Sequence, residues 1–169
     1  PFAELSCPSL SPELLESELF GHEKGAFTGA LRDNPGRVAM CEGGTLFLDE
    51  IGELPLSMQP KILRFIQERE YERLGDHVTR KADVRLVAAT NTNLEQAVRE
   101  RRFREDLFYR LNVIQIEIPP LRERTEDIAP MAGRMLALFG KRGHKALQRV
   151  TEDALHALKG YDWPGNVRE

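Results

Sequence analysis

Apolar positions along the chain gather into three short runs, and helix-period segments lie between them. Thr45 to Leu48 suits a fully buried strand. Val84 to Ala89, rich in Val, Leu and Ala, gives a second, and Val113 to Ile118 a third, closed by Pro119-Pro120. Ser11-Pro12-Glu13 starts a helix through Phe20, with Pro at its first position. Gly21 to Ala30 is punctuated by glycine and breaks it. A helix capped at Ser57 and running to about Glu70 sets Ile62, Leu63 and Ile66 on one face, with Pro60 tolerated in its first turn. Asn93 and Gln96 form a capping-box pair for a helix to Arg101. From Thr125 onward the pattern is helical only. Thr125 and Thr151 read as N-caps, Gly140 and Gly160 as stops, and Asn166 with Glu169 as a capping box that opens a last helix.

Strands alternating with helices up to Pro120 predict an α/β domain with a parallel sheet over residues 1–120, followed by a helical subdomain over 121–169. The length of 169 residues accommodates one such domain plus a small satellite. Hydrophobic residues make up 41% and charged residues 30%, the balance of a soluble globular chain. A net charge of −3 gives no global pull toward nucleic acid or membrane. No apolar run reaches membrane-spanning length, and no secretory signal is visible. Residue 1 is Pro, so the chain is expected to be a piece of something longer. Cys7 and Cys41 stand far apart with no Cys-x-x-Cys spacing, and read as reduced thiols, not as a zinc site or a disulfide framework.

The candidate chemistry sits at strand ends. Gly43-Gly44-Thr45-Leu46-Phe47-Leu48-Asp49-Glu50 places two carboxylates after an apolar run. Ligands of parallel α/β sheets bind at the carboxyl ends of strands, where two acids suit a hydrated magnesium ion and a polarised water. The bland alternative is a buried strand ending in a solvated acidic turn. The second strand ends Ala88-Ala89-Thr90-Asn91, whose polar pair can orient an attacking water or serve only as a turn. Phe103 to Arg110 carries Arg104 and Arg110, whose guanidinium forks match phosphate oxygens. Alternatively, Glu105 and Asp106 pair with them on a solvated face. Six residues apart, the two arginines lie roughly 120° apart on a regular helix, so at least one should sit at a helix start or bend. In Trp163 to Glu169, Arg168 falls in the first turn of a helix, where anions bind; a simple capped turn is the alternative. Gly25-Ala26-Phe27-Thr28-Gly29-Ala30 differs in kind, because two glycines around one aromatic suggest protein contact, against an ordinary turn with Phe27 in the core.

Taken in order, these motifs, together with Pro119-Pro120-Leu121-Arg122-Glu123-Arg124, resemble the central AAA+ domain of sigma-54-dependent transcriptional activators, the bacterial enhancer-binding proteins. The resemblance covers nearly the whole chain. It implies an AAA+ sheet of the P-loop type with helices on both faces, then a small all-helical lid. It implies ATP and Mg2+ as cofactors, with Asp49 holding the metal, Glu50 acting on the hydrolytic water, and Asn91 sensing the γ-phosphate. It further implies that Arg104 and Arg110 reach a neighbouring subunit's site, that Arg168 is a second sensor, and that Gly43 and Gly44 belong to the nucleotide site. The loop Gly25, Ala26, Phe27, Thr28, Gly29 and Ala30 would touch the sigma factor, chiefly through Thr28 and Phe27. The implied partners are the sigma-54 factor, RNA polymerase and further copies of the chain in a ring, usually a hexamer. Such a protein is cytoplasmic, often part of a two-component system, and contacts DNA through a C-terminal domain that this sequence does not contain.

Two departures stand out. No Gly-x-x-x-x-Gly-Lys-Ser/Thr loop occurs in the 169 residues. Ser6 stands where the family commonly has Asn, a hydroxyl in place of an amide. Other AAA+ remodelling ATPases, such as helicases and clamp loaders, do not account for Gly25 to Ala30. A non-catalytic interaction piece is the alternative of another class. The basic stretch Lys141, Arg142, His144, Lys145 and Arg149 reads as a solvated lid face.

Overall fold

Ser11 and Pro12 do locally what their sequence predicts. In a computed structural model that describes residues 1–142 and 149–169, the Ser11 hydroxyl accepts a hydrogen bond from the Leu14 amide, and helix α1 spans Pro12–Phe20. Gly21 ends it at φ +91°, where an added Cβ would lie 2.4 Å from the Asn34 carbonyl oxygen.

The chain divides into two compact units, Pro1–Gln115 and Ile116–Glu169, five residues before the expected boundary. In the first, β1 (Phe2–Ser6), β2 (Thr45–Asp49) and β5 (Arg85–Ala88) form a parallel sheet in the order β1-β2-β5. The register sets Ala3, Leu46 and Leu86 abreast, and Leu5, Leu48 and Ala88 abreast. Successive strand side chains point to opposite faces. One face is therefore the core, where Leu46 and Leu48 are fully buried beside Leu15, Leu19, Ile62 and Phe65. Burying a leucine contributes about 1.5–3 kcal/mol. The other face carries Glu4, Phe47, Asp49 and Arg85.

Between β2 and β5 run α3 (Gln59–Glu68) and a small antiparallel ladder of β3 (Glu70–Tyr71) and β4 (Arg80–Lys81). Ser57 lies in the turn before α3 and caps nothing there; Met58 precedes the first helical residue. The helix ends at Glu68 because Arg69 turns left-handed (φ 60°). Helices α2 (Gly36–Met40), α4 (Leu94–Arg99) and α5 (Glu105–Leu111) complete the unit. Asn93 caps α4, accepting from the Gln96 amide at 3.0 Å.

Several expectations give way. Phe2–Ser6, assigned no element from sequence, is a strand. Val84 to Ala89 does hold a strand, β5, but not a buried one: β5 pairs only with β2 among the described residues, and Arg85, Val87 and Ala88 are exposed. Val113 to Ile118 is not a strand. Val113, Ile114, Ile116 and Ile118 are 74–83% exposed. Their β-propensity is a preference for a half-buried pleated surface, and no described strand pairs with them.

The second unit is helical. α6 (Ile128–Arg142) passes through Gly140, so that glycine is no stop, since helix packing overrides a single glycine's propensity. Thr125 opens a short 3-10 turn ahead of α6 and does not cap α6 itself. Thr151 caps α7 (Glu152–Lys159), and Gly160 follows its end. His144 and Lys145 lie outside the described residues, and Arg149 is exposed. Asn166 is left-handed (φ 52°), and its side chain accepts from the Leu121 amide at 2.9 Å, so it is not the cap of a new helix. The Glu169 carboxylate instead takes the Gly165 amide at 3.0 Å and the Tyr161 hydroxyl at 2.7 Å. Among the described residues, no helix is long and apolar enough to cross a membrane.

Candidate functional site

The acid pair closes β2. Asp49 is its last residue and lies abreast of Ser6. Its carboxylate accepts from the Glu50 amide at 3.1 Å. Glu50 then takes a left-handed backbone, φ 54° and ψ 49°. Such a conformation costs a non-glycine residue of order 1–3 kcal/mol and gathers at functional sites. It turns the chain sharply into Ile51–Glu53, so Glu50 leaves the strand direction.

Three bonds join this acid turn to the end of β5. The Ile51 amide donates to the Ala89 carbonyl at 2.9 Å. The Asn91 amide donates to the Glu50 carboxylate at 3.2 Å. The Thr92 hydroxyl donates to the Glu53 carboxylate at 3.1 Å. Gly52 makes the approach possible, since a Cβ there would sit 2.7 Å from both the Thr90 Oγ1 and the Thr92 Cβ. Asn91 itself is exposed. The acid pair and the Thr-Asn pair therefore form one site at the carboxyl ends of adjacent parallel strands.

Beneath it lies Cys7, 2% exposed. Burial, then the charges of Asp49 and Glu50, push its thiol up to about 11. It is a protonated packing group, not a nucleophile.

Gly43 and Gly44 are not brought to the acids. They precede Thr45 at the opposite end of β2, where Gly44 packs so closely on Pro1 that a Cβ would lie 2.0 Å from its carbonyl oxygen. Their role there is strand entry.

Arg104 is the N-cap residue of α5, and Arg110 lies in its last turn, so one arginine sits at a helix start. Both are exposed. The Arg104 guanidinium forks onto Asp106 at 3.0 and 2.7 Å. That pairing raises the arginine and holds the Asp106 carboxyl below its ordinary range. The pair is screened by solvent, so Arg104 is easily released to another anion. In the second unit, Arg168 is exposed within a 3-10 turn, Asn166–Arg168.

The loop Gly25–Ala30 is ordered at its base and open at its tip. Gly25 donates to the Ala30 carbonyl at 2.9 Å, and Ala30 is buried. Phe27 is half-buried, its ring edge-to-face with His22 at 5.0 Å, while Thr28 and Gly29 are exposed. His22 Nδ1 lies 2.6 Å from the Ser17 hydroxyl of α1. Amides of Glu23 and Leu74 cross-link the loop base to the β3–β4 hairpin at 3.0 Å each. Gly75 (φ +80°) lets that hairpin approach, because a Cβ there would stand 2.8 Å from the Ala26 Cβ.

A parallel sheet with acids at one strand end, a Thr-Asn turn at the next and a helical unit following is the architecture of an AAA+ domain. The chain belongs to the sigma-54 interaction domain family, whose model matches residues 1–117, and the AAA+ ATPase lid domain model matches 122–169. It is 62% identical over 165 residues to the alginate biosynthesis transcriptional regulatory protein AlgB of Pseudomonas putida, covering 98% of this chain and 37% of that protein. It is 54% identical over 169 residues to the Nif-specific regulatory protein of Azospirillum brasilense, covering 100% of this chain and 27% of that one. Among solved structures, NtrX from Brucella abortus superposes with a TM-score of 0.89 at 34% identity, over 99% of this chain and 38% of that one. The same protein in complex with ATP gives 0.88 at 34% identity, over 99% and 36%. The chain thus spans well under half the length of these relatives.

Proposed function

We infer that the intact protein hydrolyses ATP and spends it on remodelling a closed complex of sigma-54 RNA polymerase, activating transcription. The observation that carries this reading is the Glu50 carboxylate held on the Asn91 amide where β2 and β5 end. A base fixed there is poised over the crevice in which parallel sheets take their ligands.

Asp49 is the residue to hold magnesium. Magnesium is held by one or two carboxylates plus water and phosphate, and Asp49 supplies a carboxylate at the end of β2. Held there by Asp49, the ion would supply positive charge against the phosphates of ATP. Glu50 takes the proton of the attacking water. Asn91 reads the γ-phosphate from the neighbouring strand end. Arg104 and Arg110 serve the site of an adjoining subunit in a ring, and Arg168 acts as a sensor in the lid. Thr28, exposed at the loop tip, contacts the sigma factor, with Phe27 beside it. Hydrolysis is assigned to the intact protein, because the 169 residues contain no phosphate-loop motif. The protein works in the bacterial cytoplasm.

The test is promoter opening. Intact protein, sigma-54 polymerase and a supercoiled promoter should give permanganate-reactive DNA with ATP and none with a non-hydrolysable analogue. Thr28→Ala should still hydrolyse ATP yet open nothing. Normal opening by Thr28→Ala, or opening without hydrolysis, would overturn the reading.

A further inference from the structure

Gln59, the first residue of α3, is completely buried, and both its amide hydrogens and its amide oxygen are engaged. Its Nε2 donates to the Leu54 carbonyl at 2.9 Å and to the Arg102 carbonyl at 3.0 Å. Its Oε1 accepts from the Arg104 amide at 2.7 Å. Two carbonyls need donors and one amide needs an acceptor, so the side chain fits in only one orientation.

These partners belong to two parts of the site. Leu54 follows directly on the acid turn, which is itself closed by bonds from the Glu53 amide to Glu50 and from the Leu54 amide to Ile51, at 3.0 and 3.1 Å. Arg102 and Arg104 flank Phe103, which is 2% exposed. The Arg104 guanidinium is in solvent, but its backbone is gripped from the interior by one side chain. Arg104 begins α5, so this grip also sets the direction of the helix carrying Arg110.

We propose that Gln59 is a positioning residue for the arginines, tying the acid turn of a subunit to the arginine segment which that subunit presents to its neighbour. Gln59 touches no reacting atom. It acts through the Arg104 backbone, and a displacement of about 1 Å at a positioned group costs on the order of 10²-fold in rate. The proposal rests on the reading that Arg104 and Arg110 work across a subunit boundary.

The experiment uses full-length protein in rings. Gln59→Met keeps volume and removes every bond, and Gln59→Leu removes the same bonds with a branched side chain. Gln59→Met should lower kcat by about 10²-fold with KM for ATP nearly unchanged. Mixed with Glu50→Gln subunits, Gln59→Met subunits should regain activity, since their own acid is intact and the partner supplies a well-held arginine. Arg104→Ala mixed with Glu50→Gln is the control. If the control fails to regain activity, the trans reading falls. If the control recovers and Gln59→Met does not, Gln59 damages its own subunit's site and the proposal falls. Wild-type kcat in Gln59→Met also overturns it. Should Gln59→Met not assemble, the mixing comparison is made with Gln59→Leu against the same control, and the same outcomes decide.

Discussion

The carboxylate of Glu50 accepts a hydrogen bond at 3.2 Å from the backbone amide of Asn91, 41 residues further on. A glutamine can accept the same bond through its amide oxygen but cannot take a proton from water. Glu50→Gln therefore separates geometry from basicity. In the intact protein it should bind ATP about as well as the parent while turnover falls by about 10²–10⁴-fold, the usual contribution of a general base. Single-turnover hydrolysis together with nucleotide titration checks this, and parental turnover would remove Glu50 from the role.

Gly52 sits where the acid turn meets Thr90 and Thr92, and a methyl group would stand 2.7 Å from each. Gly52→Ala must push the two strand ends apart. Overpacking of this kind costs about 1–3 kcal/mol. The expected result is a lower melting temperature and an ATPase loss larger than the stability change explains, because the Glu50–Asn91 bond is stretched. Full activity at a lowered melting temperature would show that the strand ends tolerate separation.

What the sequence discloses here follows from how local each signal is. Ser11 and Pro12 specify α1 with a cap and a fixed φ, and both act within one turn. The acid pair and Ala88 to Asn91 are legible as strand-end motifs, yet the bond between Glu50 and Asn91 is a tertiary fact. Phe2–Ser6 alternates over only five residues, too few to separate a strand from a loop. Val113 to Ile118 misleads in the opposite direction, since apolar composition announces a strand without announcing a partner. Gly43 and Gly44 share an octapeptide with Asp49 but lie at the other end of the strand it forms. Gln59 reads as an ordinary polar residue in a first turn, and its value arises from groups 43 and 45 residues away.

Val113, Ile114, Ile116 and Ile118 form an exposed β-prone run, and β5 has an unpaired edge among the described residues. Unpaired apolar strands and open edges are templates for association. The 169-residue chain should bind a hydrophobic dye and self-associate on concentration. Ile116→Lys, which places a charge in the middle of the run, should reduce both without lowering the melting temperature. Light scattering and dye fluorescence are the measurements. Unchanged association in Ile116→Lys would show that another surface is responsible.

The two thiols give a pH test with a definite sign. Cys7 and Cys41 are both buried, 2% and 0% exposed. Burial raises both, and for Cys7 the nearby carboxylates add to it, reaching about 11 against an ordinary 9.0. A raised thiol means that the folded chain keeps a proton which the unfolded chain gives up. The contribution of Cys7 is therefore fully present below about pH 9 and is lost as pH rises toward 11. Urea midpoints at pH 7, 9 and 10.5 should show the parent losing stability relative to Cys7→Ala across that window, and no change between pH 5 and 8. At pH 8, neither cysteine of the native chain should react readily with iodoacetamide, since the thiolate is the nucleophile and neither side chain is accessible. Both should react once the chain is unfolded. Rapid native alkylation of Cys7 at pH 8 would mean that the floor of the acid site opens to solvent, and that Asp49 and Glu50 stand on a looser base than the packing of Cys7 implies.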